Sequence, residues 1–306
     1  MKNNLKQLMS PNGKPKYLFF GGKGGVGKTS VSTATAVWFA DHGYSTTIVS
    51  TDPTVSLSAM FHQQIPGDNL VPIEQVSNLC GININPTDAK GVFQSRLNNL
   101  MGQMGGILGG DAISTPCAEE MATFDQFVGF LENPKSNVIV FDTAPTGKSL
   151  RELAKPFDWA GYMEKQIREG KELALLMKMD ESSLESLNRD KERYENALAV
   201  LRDPINTIFS LVLLPERLPV EETQSAMKGL DKLGIPVQAL VVNQTIQPEV
   251  IEGNRFLAAR AQLQSGYQAE IDQRFVSLER VRLPLFDHDI SSPAALRQVG
   301  EILYGK

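Results

Sequence analysis

The string Gly22-Lys23-Gly24-Gly25-Val26-Gly27-Lys28-Thr29 constrains this chain more than any other feature. It fits the pattern G-x-x-x-x-G-K-[ST], and its setting matters as much as its letters. Lys16-Tyr17-Leu18-Phe19-Phe20 before it reads as a short buried strand, and Thr29 to Asp41 after it reads as a helix closed by Gly43. In a strand–loop–helix unit of this kind, glycines let successive backbone N–H groups turn inward around phosphate oxygens. The positive N-terminal end of the helix points at the same spot. Lys28 then has the reach for β- and γ-phosphates, the Thr29 hydroxyl is a ligand for Mg²⁺, and Ser30 completes the candidate binding residues. Average composition produces such a string by chance in about one chain in a hundred of this length. A plain glycine-rich turn leaves the order of strand, loop and helix unexplained.

Further strands are expected at Ser45 to Ser50, Cys80 to Ile84, Val138 to Phe141, Thr207 to Leu213, Val237 to Val242 and Val276 to Arg282, with helical patterns between most of them. This alternation predicts an α/β fold with a doubly wound, mostly parallel sheet flanked by helices. Residues 90–133 and 156–203 break it, being long and helical in pattern, and read as helical insertions forming a subdomain. The 306 residues set a soft prior of two domains at about 150 residues each. One phosphate loop argues instead for a single domain over 1–306 carrying those insertions. The polar N-terminal tail, with Gly13 and Pro15, is expected to be non-helical.

Composition excludes several classes. Apolar residues at 42% and charged residues at 21% rule out wholesale disorder, and a net charge of −5 without any Lys/Arg block argues against a nucleic-acid binder. Two cysteines, Cys80 and Cys117, are too few for a disulfide framework and suit a reducing compartment. With no signal-peptide core and no run of about 18 apolar residues, the expectation is a cytoplasmic protein that meets a membrane only through a partner.

Two acidic residues stand at strand ends. The second strand runs into Ser50-Thr51-Asp52-Pro53, and the strand from Val138 runs into Asp142-Thr143-Ala144-Pro145-Thr146-Gly147. In a parallel sheet both carboxylates emerge on the carboxyl edge, beside the phosphate loop. Phosphoryl transfer to water needs a carboxylate in the metal shell and a group that orients the water. Asp142 is the candidate for the first role and Asp52 for the second, with helix capping as the plainer use of either.

The extra lysine, Lys23, makes GKGGVGKT resemble the deviant Walker A loop of the signal-recognition, Min/ParA, nitrogenase-iron-protein and arsenite-pump class. That resemblance implies a homodimer in which Lys23 reaches the partner's nucleotide, acting on the transferred phosphoryl group with Lys28. The Asp52-Pro53 stretch followed by Ser56-Leu57-Ser58, and Asp142 to Gly147 followed by Leu150-Arg151, look like the two switches of the arsenite-pump and tail-anchored-protein-targeting ATPases. Val241-Val242-Asn243-Gln244 is similar to that family's adenine-reading segment, and Leu283-Pro284-Leu285-Phe286 to the loop that closes over the base. The resemblance covers nearly the whole chain and implies ATP/ADP and Mg²⁺ as ligands.

Within the family, the context of Cys117 (Pro116-Cys117-Ala118-Glu119-Glu120) resembles the metalloid-binding segment of arsenite pumps, and a thiol at a helix start is a good soft-metal ligand. The preferred reading is an ATPase energising arsenite or antimonite efflux through an integral membrane permease. The departures are Lys148 where the family has His, no cysteine after residue 148, and His42, His62 and His288 at surface or loop positions. One chain offers one thiol at this place, so a site needs the Cys117 of both protomers. The alternative is a targeting ATPase whose Met-rich helices, among them Met101, Met104, Met163 and Met177, hold hydrophobic tail anchors. A Min/ParA-type positioning ATPase ranks below both, because the final helix carries little basic charge.

Overall fold

Unbroken apolar runs such as Tyr17–Phe20 and Val138–Phe141 make strands buried on both faces, which requires helices on each side of a parallel sheet. The computed structural model describes residues 4–51, 57–67, 69–84, 118–142 and 182–306. In chain order its elements are α1 (Leu5–Met9), β1 (Lys16–Gly22), α2 (Lys28–Asp41), β2 (Thr46–Ser50), α3 (Leu57–Phe61), β3 (Val71–Pro72), β4 (Leu79–Asn83), α4 (Ala118–Glu132), β5 (Val138–Asp142), α5 (Ser182–Arg202), β6 (Thr207–Leu213), α6 (Arg217–Lys232), β7 (Val237–Thr245), α7 (Arg255–Arg274), β8 (Glu279–Pro284) and α8 (Pro293–Tyr304). The chain divides into two compact units. One comprises Met1–Asn83, Ser136–Leu150 and Asp203–Lys306, and the other Ile84–Lys135 and Arg151–Arg202.

The first unit holds an eight-stranded sheet in the order β3-β4-β2-β5-β1-β6-β7-β8. Every described pairing is parallel except β3 with β4. Successive side chains of β1 feed opposite faces. Leu18 and Phe20 join the core packed by α2 and α8. Phe19 points the other way and stacks between Phe141 and Phe209, at centroid distances of 4.4 and 4.5 Å, linking three neighbouring strands. On that second face, Leu211, Leu213, Leu240 and Val242 pack with Val220 of α6 and Ile271 of α7. This is the doubly wound arrangement expected.

α2 is buried almost all round, its Ser and Thr residues included, because it lies between the sheet and α8. Gly300 of α8 permits the approach: a Cβ there would stand 3.0 Å from the Cβ of Trp38. Tyr304 closes the far end, with its hydroxyl 2.7 Å from Thr35 Oγ1. The apolar face of α8, with Leu296, Val299 and Leu303 at no more than 1% exposure, is thus used inside the fold.

Three local expectations need correction. Leu5–Met9 is helical, because Leu5 and Met9 bury against the core that α8 helps to form. The last strand begins at Glu279, since Phe275 to Leu278 make a turn closed by Leu278 N–H to the Phe275 carbonyl, with Val276 73% exposed. β7 runs on to Thr245, past the expected end at Val242.

In the second unit, α4 and α5 are the described helices. They are tied by Arg193, which donates to Asp125 and, at 2.6 Å, to Glu132, while the Tyr194 hydroxyl donates to Asp125 at 2.8 Å. Burial is the largest single influence on the Arg193 guanidinium and disfavours its charge, but Asp125 and Glu132 together outweigh it and hold the group protonated above its ordinary range. Among the described residues no helix is long and apolar enough to cross a membrane.

Candidate functional site

Register places the site. Ser50 and Phe20 both pair with Asp142, so the exits of β2, β1 and β5 lie in one row on the carboxyl edge. The loop from Gly22 to Gly27 leaves this row and turns into α2. Gly25 and Gly27 adopt φ of +84° and +87°, the left-handed region that glycine enters without a Cβ penalty. A Cβ on Gly22 would meet the Val212 carbonyl at 2.5 Å, so the loop's start needs glycine for space as well. α2 begins with no capping side chain and no acid in its first turn. No side chain of its own neutralises the positive end of α2, which suits it to an anion, as a phosphate site requires.

Beneath the loop, three side chains predicted from sequence converge. The Thr29 hydroxyl donates to Asp142 Oδ2 at 2.7 Å, and Lys28 Nζ lies 3.3 Å from Asp142 Oδ1. Asp142 is fully buried, and Lys28 and Thr29 nearly so. A buried carboxylate needs such partners to stay ionised. Two hard oxygen donors side by side also form a set that suits Mg²⁺.

Beside the N-terminus of α2 lies a cavity of about 260 Å³ whose walls include Gly27, Ser30, Asn243, Pro284, Leu285 and Phe286. The residues expected to take the base are therefore brought together with the phosphate loop. Asn243 does more than line it: its Nδ2 donates to the Val26 carbonyl at 2.9 Å and would collide with a Cβ on Gly27 at 2.2 Å. The walls also include Gln244, from the quoted adenine-reading segment, and His288, Asp289 and Ile290, which carried no signal in the sequence beyond proximity to the quoted segments.

Lys23 is half-exposed and bonded to Glu222 Oε1 of α6 at 2.9 Å. Glu222 is a partner that sequence reasoning missed, because nothing links two residues 199 apart until α6 packs on the sheet. Of the other expected residues, Asp52, Cys117 and Lys148, and the methionines at 101, 104, 163 and 177, lie outside the described residues. Cys80 is a free, partly buried thiol in β4, while His42, His62 and His288 are exposed as expected.

A glycine loop between a strand and a helix, at the carboxyl edge of a doubly wound sheet and over a Lys–Thr–Asp cluster, defines a P-loop nucleoside triphosphatase. The family model described as "Anion-transporting ATPase" matches residues 15–305, and the chain belongs to that family, which makes it an ATPase. It is 36% identical, over 98% of its length and 45% of the relative's, to a Halobacterium salinarum protein provisionally named an arsenical pump-driving ATPase. It is 32% identical to ATPase GET3B of Arabidopsis thaliana, over 95% of this chain and 79% of the plant protein. It is 33% identical to an arsenical pump-driving ATPase of Escherichia coli, over 75% of this chain and 39% of the bacterial protein. The chain thus spans less than half the length of these two pump-named relatives, but 99% of an Aquifex aeolicus protein provisionally named arsenical pump-driving ATPase 2, to which it is 30% identical.

Proposed function

We propose that this chain binds ATP in the loop and cavity at the carboxyl edge and hydrolyses it as a homodimer. The observation that carries this reading is the convergence of Lys28, Thr29 and Asp142 under a loop contiguous with a base-sized cavity. The N–H groups of Gly24 to Thr29 hold the phosphates, and Lys28 neutralises their charge. Mg²⁺ would sit on the Thr29 hydroxyl with Asp142 in its shell. When bound, it supplies charge stabilisation on the transferring phosphoryl oxygens. Asp52 orients and polarises the attacking water. Lys23, released from Glu222, acts on the partner protomer's nucleotide as an arginine finger does.

The work done with this energy is, on our reading, extrusion of arsenite or antimonite through a membrane permease. The family's description and the pump-named relatives support it, as does the context of Cys117. A second reading, binding of hydrophobic tail anchors, draws on the likeness to the GET3B relative over 79% of that protein. Length does not separate the two, since the chain also spans 99% of an Aquifex aeolicus relative with a pump-driving name. One preparation decides between them. Turnover is measured against arsenite or antimonite, and in parallel against a tail-anchor peptide. Stimulation by the metalloid alone, lost in Cys117→Ala, supports the pump. Stable capture of the peptide with no response to metalloid overturns it in favour of targeting.

A further inference from the structure

Immediately after Asn243 the β7–β8 ladder slips. Val242 pairs with Arg282, and the next registered pair is Thr245 with Pro284, so β7 carries one extra residue there. Gln244, inside this bulge, has φ +56°, a conformation disfavoured for any residue with a Cβ. Such a backbone persists only where its surroundings over-determine it. The clamp comes from α7. Gln264, 7% exposed, donates from Nε2 to the Gln244 carbonyl at 3.0 Å and accepts the Ile246 N–H on Oε1 at 2.9 Å. Its single amide therefore grips the chain on both sides of Thr245.

Thr245 faces the other way, toward the base cavity's loop. Its hydroxyl donates to the Leu283 carbonyl at 2.8 Å, and its carbonyl accepts the Leu285 N–H at 2.9 Å. At the bulge's start, Asn243 Oδ1 accepts the Gln244 N–H at 2.9 Å. The bulge thus joins three parts: the amide of Gln264 behind it, the loop Leu283–Phe286 in front, and Asn243 at its head. Gln244 and Leu285 wall the base cavity.

We propose that Gln264, which does not itself line the cavity, is the positioning residue that preforms the wall of the base cavity. The inference rests on the reading that this cavity takes the nucleotide base. A preformed wall spares the ligand the cost of ordering it. The phosphates are held by a separate element, the Gly22–Thr29 loop, so loss of Gln264 weakens the grip on the base and spares the grip on phosphate.

The test is calorimetric titration of the full chain with MgATP and with inorganic tripolyphosphate, together with steady-state kinetics. Gln264→Leu should weaken ATP binding about 5- to 30-fold, the effect of one or two buried hydrogen bonds, and leave tripolyphosphate within about twofold. KM for ATP should rise by a similar factor while kcat stays within about twofold. Gln264→Glu retains an acceptor for the Ile246 N–H and loses the donor to Gln244, and should show the same selectivity. It carries the test where the leucine variant does not fold. Equal weakening of both ligands, no weakening of either, or a fall in kcat at unchanged affinity would overturn the proposal. Asn243→Ala separates the parent reading: unchanged ATP affinity in that variant removes the base from this cavity, whatever the Gln264 variants do.

Discussion

Two glycines of the phosphate loop share a backbone conformation but not a neighbourhood. Gly25 has φ +84° and open space where a Cβ would go, whereas a Cβ on Gly27 would stand 2.2 Å from the Asn243 amide. Gly25→Ala should therefore cost only the left-handed penalty, about 1–2 kcal/mol. Gly27→Ala adds loss of the Asn243–Val26 bond, for about 2–4 kcal/mol in all, and should abolish ATP binding. Urea denaturation and nucleotide titration of the two variants check this; equal costs would refute it. The same scale shows what was legible. Lys28 and Thr29 were readable because their motif is contiguous, and Asp142 because an apolar run ending in Asp marks a strand exit. Gln264 was not readable, since a glutamine on a helix has no signature until its partner bulge is known.

Among the elements, the contact of α2 with α8 has a pH signature. Tyr304 donates to Met9 at 3.2 Å and shares a 2.7 Å bond with Thr35, and burial pushes its phenol above the ordinary value of 10.0. The folded chain then holds this proton more tightly than the unfolded chain. Its contribution to stability is whole below about pH 10 and is lost as pH rises beyond that value. Tyr304→Phe should be less stable by about 1 kcal/mol near neutrality, and the gap should close above pH 10. Urea midpoints at pH 8 and pH 10.5 measure it, and a gap independent of pH would contradict the assignment. Element positions were largely legible because parallel strands are continuous apolar runs. The misplaced start of β8 has a physical cause: Val276 has strand propensity but no partner strand, and lies exposed in a turn.

At the scale of the whole molecule, Lys23 tests the dimer. Its bond to Glu222 joins two half-exposed side chains and is worth at most about 1 kcal/mol, little enough for a neighbour's triphosphate to displace. Specific activity of the wild-type chain should therefore rise with protein concentration. Lys23→Ala should bind ATP normally yet turn over about a thousandfold or more slowly, with no such rise. A variant with wild-type turnover at all concentrations would remove the trans role. By itself the sequence determined the phosphate loop, the sheet class and the carboxylate of β5, because each depends on residues adjacent in the chain or on the rule that parallel strands end on one edge. Only the tertiary structure decided that Asn243 braces Val26, that Glu222 holds Lys23 and that Gln264 clamps the bulge. Those contacts join segments far apart in the chain, and a single extra residue in β7 re-aims every side chain beyond it.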